Sequence, residues 1–297
     1  MTEKPQFKTH FACLAALFVL GSGVITLPTQ IADRYTLYAL LISVLFSFAV
    51  FYGFFVLWNY CFKNNQNTII FKVLSALVYL SVAVYSLFSF SHTFKIFARF
   101  AAHILLRDTS YLTAAILLGL VVWFFASRKQ EDILKFSLVS LFAALPVIIF
   151  FFLAATNDYK IENIFIFDFP EFKNLFKNLL PFLKEISFPL IILFPYCTAF
   201  NKNSTESTAK GVAMGYLLLS LCISSAIMLF GPSFSARIEY PYTAAVSTVS
   251  VGRLFTRMDY FSYFIYFTSA IVKITVCIAS VRECLRQMDR LCKPGQQ

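Results

Sequence analysis

A lysine stands inside the apolar stretch IVKITVCIA at 271–279. An ammonium group in the bilayer interior is costly and normally faces a polar interior. Lys273 therefore reads as a fixed cation or proton-titrating group in a coupling role, or else as a lysine paired with backbone carbonyls or snorkelling to the interface. Asp259 is no direct partner for it within one regular helix, because a rise of ~1.5 Å per residue puts them roughly 20 Å apart. A second unusual stretch is GSGVITLP at 21–28. Glycine within a helix costs about 1 kcal/mol relative to alanine, and Pro28 removes an amide donor. Either the small residues let two helices approach closely, or the helix is discontinuous and its exposed backbone groups point at a charged solute. The third stretch is LLPFLKEISFPLIILFPYCTAF at 179–200, with Pro181, Pro189 and Pro195 and with Lys184 and Glu185 near its start. Its uninterrupted apolar part, about fifteen residues, is short for a crossing that needs ~20. Gly- or Pro-interrupted segments in the first and sixth spans are the pattern expected at equivalent places of two inverted repeats, with a solute site between them.

Other chemistry is missing from the sequence. There is no HExxH, GxSxG or Walker loop, which argues against an enzyme and against an ATP-driven pump in this chain. The seven cysteines, Cys13, Cys61, Cys197, Cys222, Cys277, Cys284 and Cys292, form no CxxC pair and sit mostly in apolar runs, as small buried hydrophobes do. No metal site and no cofactor is expected. Segment 91–108, SHTFKIFARFAAHILLRD, places His92, Lys95, Arg99 and His103 on one helical face, which suits a helix lying in the membrane interface or a basic binding face.

These residues must be positioned by membrane helices. The chain is 59% hydrophobic and 13% charged, where a soluble domain carries about 25% charged residues. The apolar residues come in runs close to a bilayer crossing, with no strand alternation, and in lipid such runs satisfy their backbone as helices. Eight spans are expected in a single domain over 1–297, at about 10–32, 36–62, 69–91, 110–127, 133–155, 179–200, 211–231 and 259–281. The first is too long for the apolar core of a signal peptide and lacks a cleavage site. The long segment 231–259 is expected to hold short helices against the bundle. A net charge of +10 fits contact with anionic lipid headgroups, and no soluble domain for nucleic acid is evident. Short basic linkers and the RECLRQMDRLCK tail favour cytoplasmic termini.

Four segments together resemble the GerAB-type B subunit of spore germinant receptors, a branch of the amino acid–polyamine–organocation permease superfamily. GSGVITLP at 21–28 is similar to the family's first-helix signature, and LLPFL at 179–183 to the motif that leads into its sixth helix. ARIEYP at 236–241, followed by SVGRLFTRMDYF at 250–261, is similar to its segment before helix eight. IVKITVCIA is similar to its lysine-bearing eighth helix. The resemblance implies an all-α, LeuT-like bundle that binds an amino acid or similar small germinant between helices 1 and 6. The ligand carboxylate would meet backbone amides of Gly21, Ser22 and Gly23, with Val24, Phe188 and Pro189 beside them. Lys273 would be the interior polar group, and Pro28, Arg237, Glu239, Pro241, Arg257 and Asp259 structural motif residues. It further implies an A subunit and a C-subunit lipoprotein as partners, in the inner membrane of an endospore. The family has ten spans where eight are read here. This shortening would weaken the repeat scaffold and makes coupled transport harder to support than sensing. A proton-coupled amino acid permease and a shortened structural subunit without ligand binding are the alternatives.

Overall fold

The computed structural model describes residues 6–30, 35–58, 69–106, 109–163, 172–195, 197, 204–249 and 259–292; the side chains of Ser22 and Pro28 and all of Arg257 lie outside the described residues. The main helices are α1 (Gln6–Gln30), α2 (Thr36–Trp58), α3 (Ile69–Phe100), α4 (Tyr111–Ala126), α5 (Gln130–Ala154), α6 (Phe172–Phe182), α7 (Ser204–Phe230), α8 (Pro241–Thr248) and α9 (Asp259–Cys292). Among the described residues there is no strand. Six helices are long and apolar enough to cross a membrane, within α1, α2, α3, α5, α7 and α9. The protein is an all-α polytopic membrane protein. Helix α4 is shorter, at 16 residues, and the sixth expected span is broken.

Helix α1 is the axis of the bundle. Its residues Leu14 to Leu20 are all at most 1% exposed, and a helix that is apolar all round belongs in the interior. It packs chiefly on α7 and α9. The contact with α7 rests on GVAMG at 211–215, a small-xxx-small motif that lets two backbones meet. A Cβ at Gly211 would run into the Ala12 backbone, and one at Gly215 would sit 2.8 Å from the Ala16 carbonyl oxygen. The pairs 12 with 211 and 16 with 215 rise together, so α1 and α7 run parallel. The outward faces of α2 to α5 carry large exposed apolar side chains, such as Leu45, Leu77, Leu120 and Phe142; exposed apolar faces on spanning helices are the surface that lipid covers.

The segment 91–108 differs from expectation. It is no separate interfacial helix. Helix α3 runs straight through it to Phe100 and adds a π-helical turn at Ala101–Leu105. Its phenylalanines are satisfied inside the bundle: Phe97 packs on Phe267, and Phe100 meets Tyr266 edge-on at 5.0 Å. The i, i+3, i+4 pattern is the same for a surface-lying helix and for the extension of a spanning one, so periodicity could not separate them.

The segment 231–259 does carry short helices, a single turn at Pro232–Ser235 and α8. Gly231, at φ 77°, ends α7, and its amide bonds to the Ile227 carbonyl. That left-handed conformation is one glycine adopts without a Cβ penalty.

Candidate functional site

The opening expected in the first helix is absent. Helix α1 is continuous across Gly21, Ser22 and Gly23 and on through Pro28. Its glycines serve close packing instead. Gly21 lies against the stem of Lys273: a Cβ there would come 2.6 Å from Lys273 Cδ and 2.9 Å from its Cβ. At Gly23 an added Cβ would make ordinary contact with Leu219. Val24 is buried.

The break falls in the sixth span. Helix α6 gives way to a π turn at Leu183–Ser187 and then to a 3₁₀ segment at Pro189–Leu193. Proline chemistry explains the position. In α-helical register the amide of residue 189 would bond to the carbonyl of residue 185, and proline has no N–H to give. The Lys273 ammonium takes that carbonyl instead, donating to Glu185 O at 3.0 Å. The intervening amide, from Phe188, bonds back to Leu183 O in π register. A non-helical turn at membrane depth is tolerated only where protein or a wet cavity satisfies it.

Both flanks of the break are satisfied by side chains. On one flank, His92 Nε2 from α3 lies 2.9 Å from Glu185 Oε1. Glu185 is 3% exposed and His92 37%. On the other flank, Ser187, Ser47 of α2 and Tyr216 of α7 share a buried cluster, with Ser47 Oγ 2.6 Å from both Ser187 Oγ and Tyr216 Oη. Lys273 is 2% exposed, and its ammonium also sits 5.4 Å from the centre of the Phe18 ring, within range of cation–π attraction.

Beside this array is a cavity of about 590 Å³, walled by one long face of α3 from Leu74 to Thr93, by Phe54, and by the break. Most of its lining is apolar. His92, Glu185 and Lys273 reach it, together with Lys184, Tyr85 and the hydroxyls of Ser89 and Thr93. The expected site residues Phe188 and Pro189 line it. Gly21, Gly23 and Val24 do not, and Gly21 meets the site only through Lys273. The arrangement places a carboxylate, an ammonium and an imidazole next to a large apolar chamber. It can therefore offer both signs of charge to a ligand head and apolar surface to its body.

Among the described motif residues, Arg237, Glu239, Pro241 and Asp259 do not line this cavity. Arg237 and Glu239 are exposed, and Pro241 is buried at the first position of α8, where its missing amide is harmless. Asp259 accepts a hydrogen bond from Tyr263 Oη at 2.9 Å, at the start of α9. Burial pushes the Tyr240 phenol upward, and the neighbouring Glu239 carboxylate adds to the rise. Cys13, Cys197, Cys222, Cys277 and Cys284 are buried free thiols.

Sequence reasoning did not single out the Ser47–Ser187–Tyr216 cluster, the pairing of His92 with Glu185, or GVAMG. For one of these, and for the carbonyl that Lys273 meets, a signal existed. GVAMG is a literal small-xxx-small match, and a proline four residues after Glu185 marks that carbonyl as an orphan.

No curated protein sequence matches the chain. A protein-family model described as spore germination protein, the spore permease model, matches residues 8–288. That match takes in every helix that builds the site, from α1 through most of α9, and so the chain belongs to the spore permease family of spore germination proteins.

Proposed function

We propose that this protein is a germinant-receptor subunit that senses an amino acid or similar small solute. The solute binds in the cavity beside the break in the sixth span. One observation carries this: buried Glu185 and Lys273, with half-buried His92 hydrogen-bonded to Glu185, lie where the helix is interrupted and line the cavity. A carboxylate and an ammonium at one end of an apolar chamber suit a zwitterionic head on an apolar body. Phe188 and Pro189 contact the ligand, while Gly21 and Gly23 hold α1 close to Lys273 and α7. Ligand binding shifts an equilibrium between two arrangements of the break, to the extent that the ligand binds them differently.

The topology follows from the apolar runs and the basic linkers, and the compartment and partners follow from the family. The chain crosses the membrane eight times as one domain, with cytoplasmic termini, in the inner membrane of an endospore. It works beside an A subunit and a C-subunit lipoprotein. A binding experiment tests the site. Purified protein is heated in the presence of each amino acid in turn, since a ligand that binds only the folded state raises the melting temperature. A saturable rise is expected with at least one amino acid, and its loss in Phe188→Trp. A rise that survives Phe188→Trp, His92→Ala and Glu185→Gln alike removes the cavity from the account.

A second reading is favoured by the chain of titratable groups itself. In a proton-coupled permease, His92 and Glu185 would pass a proton between the cavity and the Lys273 region. Uptake of labelled amino acids into proteoliposomes under a pH gradient separates the two. Sensing alone gives no uptake above empty liposomes.

A further inference from the structure

A second recess lies at the end of the bundle where α4 stops, α5 begins and α9 runs out. It has a volume of about 350 Å³ and is lined by Arg128, Lys129, Gln130, Glu131, Arg282, Glu283 and Arg286. Four of these are basic and two acidic. The acidic pair does not cancel the recess. Glu283 is 3% exposed; it accepts from Gln287 at 2.7 Å and lies 3.9 Å from Arg286.

Two of the basic groups are held in place. Arg282 Nη2 donates to the Ala126 carbonyl at 3.0 Å, closing the end of α4. The Arg128 guanidinium lies over the Phe124 ring at 4.4 Å. Lys129 is the N-cap residue of α5, and its side chain lines the recess without a cap bond. Fixed guanidinium groups with spare donors recognise phosphate oxygens in fork geometry. The level in the membrane is set by neighbours. Leu120, Trp123 and Phe124 on the last turns of α4 are exposed, and a tryptophan on an exposed face at a helix end sits at the headgroup level.

We propose that this recess binds the phosphate of an anionic lipid headgroup, with the acyl chains lying along the exposed face of α4. Basic pockets between membrane helices at the interface have the charge and the depth for such headgroups. The site is independent of the cavity beside the sixth-span break and does not rest on the function proposed for that cavity.

The test uses the full chain in a neutral detergent. Its melting temperature is followed while phosphatidylglycerol, phosphatidylcholine or inorganic phosphate is added. Phosphatidylglycerol is expected to raise it saturably by several degrees, with no comparable rise from phosphatidylcholine. The double variant Lys129→Gln, Arg286→Gln alters two exposed side chains. Each protein's increment is taken from its own lipid-free melting temperature, and the variant is expected to lose most of the phosphatidylglycerol increment. Native mass spectrometry of protein taken directly from membranes gives an independent readout, in which bound anionic lipid is retained by the parent and lost by the variant. Equal responses to the two lipids, or an equal phosphatidylglycerol response in parent and variant, overturn the site. An equal, saturable rise with inorganic phosphate alone overturns the lipid assignment.

Discussion

At the residue scale the protein turns on how one lysine meets one carbonyl. Pro189 deprives Glu185 O of its helical donor, Lys273 replaces that donor, and Gly21 leaves room for the lysine stem. A buried acceptor left unsatisfied costs about 1–3 kcal/mol. Lys273→Met keeps most of the stem and removes the donor. It should therefore destabilise the purified protein by about 1–3 kcal/mol, seen as a lower melting temperature, while Lys273→Arg should recover part of the loss. Gly21→Val should give a similar loss by displacing Lys273, although it leaves every polar group in place. A Gly21→Val protein as stable as the parent would show that the contact is slack. Lys273 was legible in the sequence as an interior lysine, either a fixed or titrating cation in a coupling role or one paired with backbone carbonyls or snorkelling, and the carbonyl bond is present. The identity of that carbonyl was not legible, because it depends on which helix faces α9 and at what depth. His92 shows the same limit: its helical face was visible, but its partner Glu185 lies 93 positions away in sequence.

At the element scale, the sequence suggested interruptions in both the first and the sixth span, and only the sixth carries one. GSG in α1 reads equally as a break or as a packing surface, and the structure uses it for packing within an unbroken helix. The sixth span carries the break, with Pro189 at the first position of the 3₁₀ segment that follows the π turn. Local sequence holds the breakers but not the neighbours that decide whether a helix tolerates them. A membrane helix accepts Gly and Pro when adjacent helices satisfy the freed groups. The α1–α7 contact is a direct case. Gly211→Leu should separate the two backbones and cost about 1–3 kcal/mol or more as overpacking, seen as lower folded yield and an earlier thermal transition. Gly53→Ala and Gly119→Ala provide the contrast, because a Cβ at either position meets nothing within 4 Å. Both should be neutral or stabilising, by up to about 1 kcal/mol of helix propensity. Destabilisation at all four glycines, 21, 53, 119 and 211, would mean that packing does not distinguish them. On the far flank of the break, Tyr216→Phe removes one hydroxyl from the Ser47–Ser187 cluster. It should cost about 1 kcal/mol, measurable in the same assay.

At the scale of the whole molecule, the sequence showed an all-α membrane protein of the spore germination family, and the fold and the family match agree with it. Composition and run length suffice for the all-α membrane class, because the bilayer leaves few solutions for an apolar chain, while the four motif segments carry the family resemblance. The arrangement of the site was less legible. The cavity proposed for the ligand is walled by α3 and the broken span, with α1 set behind Lys273, so the first-helix backbone is not its lining. On this account the interrupted sixth span is the sensing element, and side chains in its cavity set the germinant concentration that spores require. The most direct measurement is the germination of spores that carry Phe188→Trp at normal protein level, recorded as a concentration–response curve. Leu217→Trp, on an exposed face of α7, is the control. The account predicts that Phe188→Trp raises the half-effective germinant concentration by about tenfold or more, equivalent to roughly 1.4 kcal/mol, while the control curve stays on that of the parent. A Phe188→Trp curve that superimposes on the parent would contradict it.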